Sequence, residues 1–475
     1  MTLNRPVQTL ILLFIAWKTC LLLVVSLSPG PGYDSSTDLL FGQFPSTSRA
    51  DQLLSKLVRW DAVYFTNIAE RGYQYEQEWA FGWGWTKSIS GVAQLLPSSI
   101  SALSRKIIAG TLLATLSHFL SVFVLYHLIL SIFQPTCRPA ASHEALAFTT
   151  AALHVCSPAG VFMLAPYGEA STSLLSFVGL LLYTRGAWHD MNGAAVGFGY
   201  LWLTIAAGIS FGLATTIRSN GILYGIPFLW DFLAIFSRPR DLFTASAIFR
   251  LTVLGISGLA VAVGFVLPQW TAYTQYCYTD SDVRPWCTKL PPSIYTFVQE
   301  HYWNVGFLHY WTLSNIPLFL LASPILILLI STSTSILFPR LSLFSSSPAS
   351  SPSAPTPPAP PSPSHRILLR LALPQLILAI LVLTSFHVQI INRICSAYPV
   401  WYLAVAARVV FSGNGIAGES ADRDELQGSQ NGKVVKRDSS ANGTYKRKMA
   451  EWIFRGSVIY AFVQAGLYAS FLPPA

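Results

Sequence analysis

The sequence predicts an all-α polytopic membrane protein, built as a bundle of about eleven transmembrane helices with a helical first luminal loop. Three observations lead to this class. Charged residues make up 11% of the 475 residues and apolar residues 52%, whereas a soluble domain carries roughly 25% charged residues. The apolar residues come in runs near twenty long, the length that crosses a hydrocarbon core about 30 Å thick. Basic residues gather beside these runs, as expected where they hold loops on the cytoplasmic side.

Each apolar run is predicted to be a helix, because lipid offers no hydrogen-bond partner to an open strand edge. The predicted spans are 8–28, 107–133, 147–165, 170–187, 196–217, 221–237, 247–270, 312–338, 367–391, 396–412 and 452–471. The first run follows a single Arg5 and lacks a cleavage site of small residues. We therefore interpret it as an uncleaved first helix rather than a signal peptide.

The charges of the loops orient the chain. With the N-terminus in the cytoplasm, loops 29–106 and 271–311 fall on the luminal side, and the main basic clusters fall in cytoplasmic loops. The predicted organisation is a transmembrane core 1–338 with both luminal loops, a Pro/Ser-rich cytoplasmic linker 339–366, transmembrane helices 367–412, a basic disordered cytoplasmic loop 413–451, and a last helix with a luminal tail 452–475. No aromatic residues interleave the basic loop, so the net charge of +9 does not indicate a nucleic-acid partner.

Loop 271–311 contains two short patterns that can stabilise a loop or bind an ion. Cys277 and Cys287 have a spacing that could close a small disulfide if the loop is luminal. Asp280 and Asp282 form a D-x-D triplet, which can hold a metal ion together with a sugar phosphate. Such triplets are frequent by chance, and we expect no metal site from this one alone.

The segment 59–76 is the most informative part of the chain. It has the pattern of an amphipathic helix that ends at Gly72, with Asp61 on the same face as apolar residues. An ionised group on such a face is costly unless it has a partner or a task. Glu70 lies nine residues further on and about half a turn out of phase, so one helix cannot aim both carboxylates at a single site. Of the two carboxylates, Asp61 is our candidate for the catalytic one.

An interfacial helix would explain the same segment without any chemistry. Trp60 and Tyr64 would then lie at the level of the lipid headgroups, and Asp61 would cap the helix or join an ion pair. The residues of this segment alone do not decide between the two interpretations.

Polar residues recur at the predicted luminal ends of other spans. They are Glu169, Arg218, Asn220, Tyr302, Trp303, Asn304, His387, Gln389 and Arg393. Ionisable residues at membrane depth usually face a cavity or a partner, although a single one can simply reach toward the interface. Together they predict a luminal site in which arginines bind phosphate oxygens and a carboxylate activates a hydroxyl. Gln389 and Arg393 are expected on one helix face, since they are four residues apart.

Five blocks of the chain resemble the PIG-V family of mannosyltransferases. They are RWDAVYFTNIAERGYQYE (59–76), SPAGVFMLAPYGEASTSLLSF (157–177), IRSNGIL (217–223), YWNVGFLHYWTLSNIPLFLLASP (302–324) and FHVQIINR (386–393), in the order of the family. The chain departs from the family pattern at AFGWGW (80–85), where an aromatic-proline run is expected, and in the Pro-Tyr-Gly turn before Glu169. The Pro/Ser-rich insertion and the long basic loop look like those of a fungal member.

The resemblance implies a GT-C-type enzyme of the endoplasmic reticulum membrane with its active site facing the lumen. Such an enzyme takes mannose from dolichyl-phosphate mannose and adds it, in an α-1,6 linkage with inversion, to the first mannose of a GPI precursor glycolipid. In GT-C enzymes a carboxylate of the first luminal loop commonly acts as the base, and Asp61 has that place here. Trp60, Glu70 and the polar luminal residues are then candidates for binding donor phosphate or acceptor.

The resemblance also sets the expected partners and cofactors. Besides membrane lipids and the two lipid-linked substrates, a small accessory membrane subunit is plausible. The reaction requires no cofactor, and a role for a divalent metal stays open. Two other classes remain as alternatives: a lipid transporter or scramblase, which needs polar residues across the whole membrane depth, and a non-catalytic scaffold, which would tolerate alanine at all the luminal polar residues.

Overall fold

A computed structural model describes residues 5–29, 36–37, 49–133, 140–191, 197–278, 284–339, 362–417, 436–470 and 472. Helix is the only regular secondary structure in these ranges. The α-helices, in chain order, are α1 (Pro6–Leu27), α2 (Arg49–Leu57), α3 (Asp61–Arg71), α4 (Trp83–Ala93), α5 (Ala102–Ile132), α6 (Ala140–Val155), α7 (Glu169–Met191), α8 (Phe198–Ile217), α9 (Ile226–Phe236), α10 (Ala245–Cys277), α11 (Ile294–Trp303), α12 (Ile316–Leu337), α13 (Pro363–Thr384), α14 (Ile391–Ile394), α15 (Pro399–Ala417) and α16 (Lys436–Ala469).

Several of these helices are long and apolar enough to cross a membrane. In the described part of the chain there are seven, namely α1, α5, α8, α9 with its preceding turn, α10, α12 and α13. A further pair of helical segments, Val388–Ala397 and Pro399–Phe411, is bent by 76°. If this pair is one span, the described part of the chain contains eight candidate spans. The all-α, multi-pass prediction is thus confirmed. The three remaining predicted spans coincide with helices α6, α7 and α16. These helices do not reach the length and apolar composition of the other spans, so the number of eleven spans stays a prediction.

Helix α7 packs between α5 and α8. This helix can be less apolar than its neighbours because they shield it: Ser171, Thr172, Ser173 and Ser176 are all buried. Helix α8 in turn approaches α10 very closely. A Cβ on Gly264 of α10 would lie 2.1 Å from the carbonyl oxygen of Gly212, so only glycine permits this approach.

The two loops predicted to be luminal pack against each other. The first is helical, as predicted, and consists of α2, α3, the 3-10 helix Glu76–Ala80 and α4. In the second loop Cys277 and Cys287 form a disulfide with a Cα–Cα distance of 5.8 Å. The Trp286 indole nitrogen donates to Glu76 Oε1 at 2.9 Å, which joins the second loop to the first. Asp280 and Asp282 lie outside the described residues.

The structure differs from the prediction at the edge of one loop. Most of the linker 339–366 and residues 418–435 of the basic loop 413–451 lie outside the described residues. Helix α16, however, begins at Lys436, so the last part of the predicted disordered loop is helical. Its charged residues are good helix formers, and Arg447 pairs with Glu451 one turn later at 3.1 Å. Scarcity of apolar residues was therefore a poor guide to disorder here.

Candidate active site

A cavity of about 460 Å³ lies where the first loop, α11 and the segment after α13 meet the end of α8. Its polar side is lined by Asp61, Arg218, Asn220, His387 and Arg393. Its apolar side is lined by Phe265, Pro268, Leu378, Leu381, Val382, Phe386 and Ile390. Because helices α10 and α13 provide most of this second side, the cavity joins charged groups to the hydrocarbon-facing part of the bundle.

The carboxylate of Asp61 is placed by a constrained turn. Asp61 is the first residue of α3, where the helix dipole favours a negative charge. The preceding residue, Trp60, has φ 53° and ψ −126°, a conformation that is rare and costly for a non-glycine residue. Two buried phenols hold the segment in this shape: Tyr167 donates to the Arg59 carbonyl at 3.0 Å, and Tyr468 donates to the Leu57 carbonyl at 2.8 Å. The direction of Asp61 is thus fixed by distant parts of the chain.

Two acidic and two basic side chains form a connected charge cluster at the polar side of the cavity. Arg393 Nη1 lies 3.0 Å from Asp61 Oδ2, and Arg393 Nε lies 3.7 Å from Glu169 Oε1. The Arg218 guanidinium forms a direct ion pair with the same Glu169 oxygen. The cluster therefore runs from Asp61 through Arg393 and Glu169 to Arg218.

The two carboxylates of this cluster differ in exposure. The Asp61 side chain is 34% exposed and lines the cavity, whereas the Glu169 side chain is 0% exposed. Glu169 sits behind the two arginines, and its second oxygen, Oε2, is buried without a hydrogen-bond partner. Asp61 can meet a substrate. Glu169 can only neutralise and orient Arg218 and Arg393.

Aromatic rings support the arginine at the centre of the cluster. The Arg393 Cζ lies 4.7 Å from the ring centroid of Phe162 and 5.5 Å from that of Tyr167. Such cation–π contacts favour the charged form and limit the movement of the guanidinium. The result is a fixed cation 3.0 Å from the Asp61 carboxylate.

A rim of aromatic and hydroxyl groups surrounds the charged side. Tyr64 stacks on Phe81 with centroids 4.4 Å apart, and the Tyr295 hydroxyl lies 2.7 Å from Ser219 Oγ. Burial raises the pKa of the Tyr64 phenol, and the carboxylates of Glu78 and Asp61 act in the same direction. Burial also raises the pKa of Tyr295. Both phenols stay protonated near neutral pH and are available as hydrogen-bond donors.

The departure from the family pattern at 80–85 falls on this rim. Phe81 and Trp83 line the cavity. A Cβ on Gly82 would lie 1.9 Å from the carbonyl oxygen of Ile217, the residue before Arg218. Glycine at this position lets the first loop contact the end of α8 directly, which brings the rim next to the charge cluster.

The structure brings together about half of the residues predicted for the site. Asp61, Arg218, Asn220, Trp303, His387 and Arg393 line the cavity, and Glu169 lies directly behind it. The His387 Nε2 atom lies 3.1 Å from the Trp303 carbonyl oxygen, which joins two of the predicted blocks.

The other predicted residues do not line this cavity. The Trp60 indole nitrogen donates to the Leu472 carbonyl, and Glu70 is exposed on a different side of α3. Tyr302 is 45% exposed, and Asn304 ends α11 in a left-handed conformation with φ 51°. Gln389 accepts a hydrogen bond from the Tyr310 hydroxyl at 2.9 Å. These residues stay candidates for indirect roles.

Several lining residues were not selected from the sequence. Tyr64, Ser219, Tyr295 and Gln299 line the cavity, and the first two belong to conspicuous blocks of the sequence. Tyr295 and Gln299 carry no local signal, because α11 reaches the cavity only through tertiary packing. In the described part of the chain there is no group of three His, Cys, Asp or Glu residues arranged to hold a metal ion.

Fold and site together define a class: an integral membrane protein with a cavity between its helix ends that is lined by two arginines and a carboxylate. The comparisons narrow that class to a family. A family model described as Mannosyltransferase (PIG-V) matches residues 7–475, and the chain belongs to this family. The chain is accordingly a membrane glycosyltransferase, and the multi-pass enzyme predicted from the sequence is confirmed.

Curated relatives agree with this family over almost the whole chain. The GPI mannosyltransferase 2 of Aspergillus oryzae is 38% identical over 485 residues, which cover 99% of this chain and 96% of the relative. The protein of the same name from Gibberella zeae is 36% identical and covers 99% and 98%. Among solved structures, ArnT from Cupriavidus metallidurans bound to undecaprenyl phosphate aligns with a TM-score of 0.44 and 12% identity, covering 98% of this chain and 76% of that one.

Proposed function

We propose that this chain is a GT-C-type α-1,6-mannosyltransferase that moves mannose from dolichyl-phosphate mannose to the first mannose of a GPI precursor. The observation that carries the proposal is the partly exposed Asp61 carboxylate, held 3.0 Å from the less exposed Arg393 in a cavity with one apolar side. The relatives named GPI mannosyltransferase 2 support the choice of acceptor. The family name supports mannose as the sugar.

Donor binding follows from the two sides of the cavity. Arg218 and Arg393 present guanidinium groups whose paired N–H donors match phosphate oxygens. The apolar side, with Leu378, Leu381 and Val382 of α13, suits the isoprenoid units next to that phosphate. Glu169 keeps both arginines oriented before the donor arrives and offsets part of their charge.

The chemical step needs a base and an electrostatic partner for the leaving group. The Asp61 carboxylate takes the proton of the acceptor 6-hydroxyl while its oxygen forms the bond to the mannose anomeric carbon. The bond from that carbon to the phosphate oxygen breaks, and its electron pair leaves with dolichyl phosphate, steadied by Arg218 and Arg393. Attack from the opposite face inverts the anomeric carbon, so a β-linked donor gives an α-linked product.

The position of the site relative to the membrane follows from the first and second loops. We infer that both loops lie in the lumen of the endoplasmic reticulum, with linker 339–366 and loop 413–451 in the cytoplasm. The Cys277–Cys287 disulfide supports this side, since disulfides persist in oxidising compartments. A small accessory membrane subunit stays part of the proposal. The reaction as written needs no metal.

The transporter or scramblase alternative finds less support. It requires a polar path through the whole membrane depth, whereas Asp61, Arg218, His387 and Arg393 meet at one end of the helices. The family membership also favours the enzyme. A scaffold without chemistry would have no need of a strained Trp60 in front of an exposed carboxylate.

The glycolipid that accumulates when the protein is depleted tests the proposal. A GPI precursor with one mannose is expected, and a precursor with two mannoses would assign the chain to another step. Addition of purified protein and dolichyl-phosphate mannose should then convert the accumulated lipid to the two-mannose form. Glycan tags placed beside Trp60 check the side of the membrane, and an unmodified tag there would contradict the luminal site.

A further inference from the structure

A second cavity, of about 700 Å³, lies between α6, α12, α13 and α15. It is separate from the candidate active site. The hydroxyl of Tyr398, just before α15, lies 3.4 Å from the Asn220 carbonyl oxygen at the active-site end, and Arg408 is nine residues beyond Pro399, the first residue of α15. At 1.5 Å per residue this is about 14 Å toward the opposite membrane face. The cavity lies at the end of α12 and the start of α13, whose other ends adjoin His387.

The cavity combines an apolar part with a partly buried cation and one buried hydroxyl that lacks a partner. Leu146, Leu368 and Leu403 line the apolar part. Arg408 is partly buried and, in the described part of the chain, has neither an ion pair nor a hydrogen bond. Ser364 is 5% exposed, and its Oγ is buried without a partner. Burying the Ser364 hydroxyl without a partner costs free energy, and an unpaired, partly buried Arg408 beside it favours an anion. Both observations indicate that a ligand completes the site.

We propose that this cavity binds an anionic phospholipid of the membrane. The lipid phosphate accepts hydrogen bonds from Arg408 and Ser364, and an acyl chain follows Leu368 and Leu403 into the bundle. Basic pockets between transmembrane helices on the cytoplasmic side commonly hold such headgroups. Exposed Arg366 and Lys448 lie toward the same end of the helices and add to its positive potential.

The proposal specifies that the bound lipid carries a net negative charge. A neutral or zwitterionic lipid would fill the apolar part equally well but would leave the net charge of Arg408 uncompensated. Both kinds of headgroup offer phosphate oxygens to the guanidinium, but the choline cation of a zwitterionic lipid offsets the phosphate charge, whereas an anionic lipid keeps a net negative charge to pair with Arg408. Preference for an anionic headgroup should therefore depend on Arg408.

The test measures lipid retained by the purified full-length protein. Protein in detergent is incubated with equal amounts of phosphatidylglycerol and phosphatidylcholine, then delipidated stepwise, and bound lipid is counted by native mass spectrometry. Wild-type protein is expected to retain phosphatidylglycerol preferentially. Arg408→Gln should lower that preference about tenfold, and Arg408→Lys should restore part of it. Arg455→Gln, which removes an exposed cation stacked on Trp452, is the matched control and should change nothing.

A second variant separates the cavity from the charge. Ala407→Phe keeps Arg408 but places a ring in the cavity lining, so it should lower retention of both lipids. Equal retention of the two lipids by the wild-type protein would overturn the proposal. An unchanged preference in Arg408→Gln would overturn it as well. None of these readouts depends on mannose transfer, so the outcome is independent of the proposed function.

Discussion

Among the ionisable side chains on the described helices, two groups differ in surroundings more than in residue type. The first is the charge cluster around Asp61 and Arg393, which borders a cavity. The second, here termed the sealed network, consists of Lys18, Ser121, His118, His154 and Tyr402. Lys18 donates to the Met163 carbonyl at 2.6 Å, and the His154 ring lies 2.8 Å from Ser121 Oγ and 3.3 Å from the Tyr402 hydroxyl.

A polar group at membrane depth is a candidate for chemistry where it faces a space that a substrate can enter. The sealed network is almost fully buried, with Lys18 5% exposed and both histidines 0% exposed, and it lines neither cavity. Its hydrogen bonds join α5, α6 and α15 to one another and α1 to the 3-10 turn Gly160–Met163, and none of the bonds described for it involves a carboxylate. Most of its polar atoms are paired within the bundle, with His118 Nδ1 buried without a hydrogen-bond partner, and these bonds stabilise helix packing. The charge cluster instead leaves a carboxylate exposed toward a space that a substrate can enter.

The largest expected effect comes from removing the charge of Asp61. Asp61→Asn keeps the size of the side chain but cannot accept the proton, so mannose transfer should fall about a thousandfold, within the range for general-base groups. Transfer is measured with dolichyl-phosphate mannose and a one-mannose acceptor. Glu70→Gln is the control, since Glu70 lies on the same helix outside the cavity, and it should stay within about twofold of wild type. Full transfer by Asp61→Asn would remove Asp61 from the mechanism.

A smaller loss is expected at the buried carboxylate. Glu169→Gln leaves Arg218 and Arg393 without their shared anion, so the arginines should shift and transfer should fall about a hundredfold. Breaking a buried pair also costs about 3–5 kcal/mol of stability, so the melting temperature should drop together with activity. Asp61→Asn should leave the melting temperature closer to wild type. If Glu169→Gln kept its stability and lost only transfer, Glu169 would have to contact substrate.

The fold class and several site residues were predictable because their signals are local. Length and composition of the apolar runs predict the helices, and the phase of Asp61 against Glu70 predicts that only one of the two carboxylates can face a single site. In the structure it is Asp61 that lines the cavity. The ion pairs of Glu169 with Arg218 and Arg393 were not predictable, because these partners lie 49 and more than 200 positions away from it along the chain. The expected common face of Gln389 and Arg393 was not realised, because α13 ends at Thr384 and a 3-10 turn precedes α14.

The sealed network was missed for a related reason. Lys18, His118 and His154 each appear in an apolar run as isolated polar residues, and nothing local indicates that they meet. Only the packing of α1 and α5 with α6 brings them together. The disulfide candidates Cys277 and Cys287 lie ten residues apart in one loop, so their pairing needed no long-range information.

An intermediate effect is expected where the second loop supports the cavity rim. Glu76 accepts from the Trp286 indole at 2.9 Å and begins the 3-10 helix that carries Trp79 and Ala80 to the cavity. Glu76→Gln weakens this contact by about 1 kcal/mol, so KM should rise about fivefold with little change in kcat. Arg284→Gln, which removes a more exposed and longer contact to Glu76 at 3.8 Å, should change KM less. A fall in kcat without a change in KM would place Glu76 nearer to the chemistry.

The smallest expected effect on transfer comes from removing the amine of Lys18. This variant tests whether the sealed network and the charge cluster are independent. Lys18→Met leaves the Met163 carbonyl without its donor, which should cost about 1–3 kcal/mol of stability. Transfer per folded molecule should stay within about twofold, because Lys18 reaches no cavity and the Arg393 position depends on Phe162 and Tyr167. Melting temperature and initial rate are measured on the same preparation, with Lys18→Arg as the variant that retains a donor. A tenfold loss of rate in well-folded Lys18→Met protein would mean that the sealed network acts on the site through the turn containing Phe162. Burial alone would then not distinguish the role of the sealed network from that of the charge cluster.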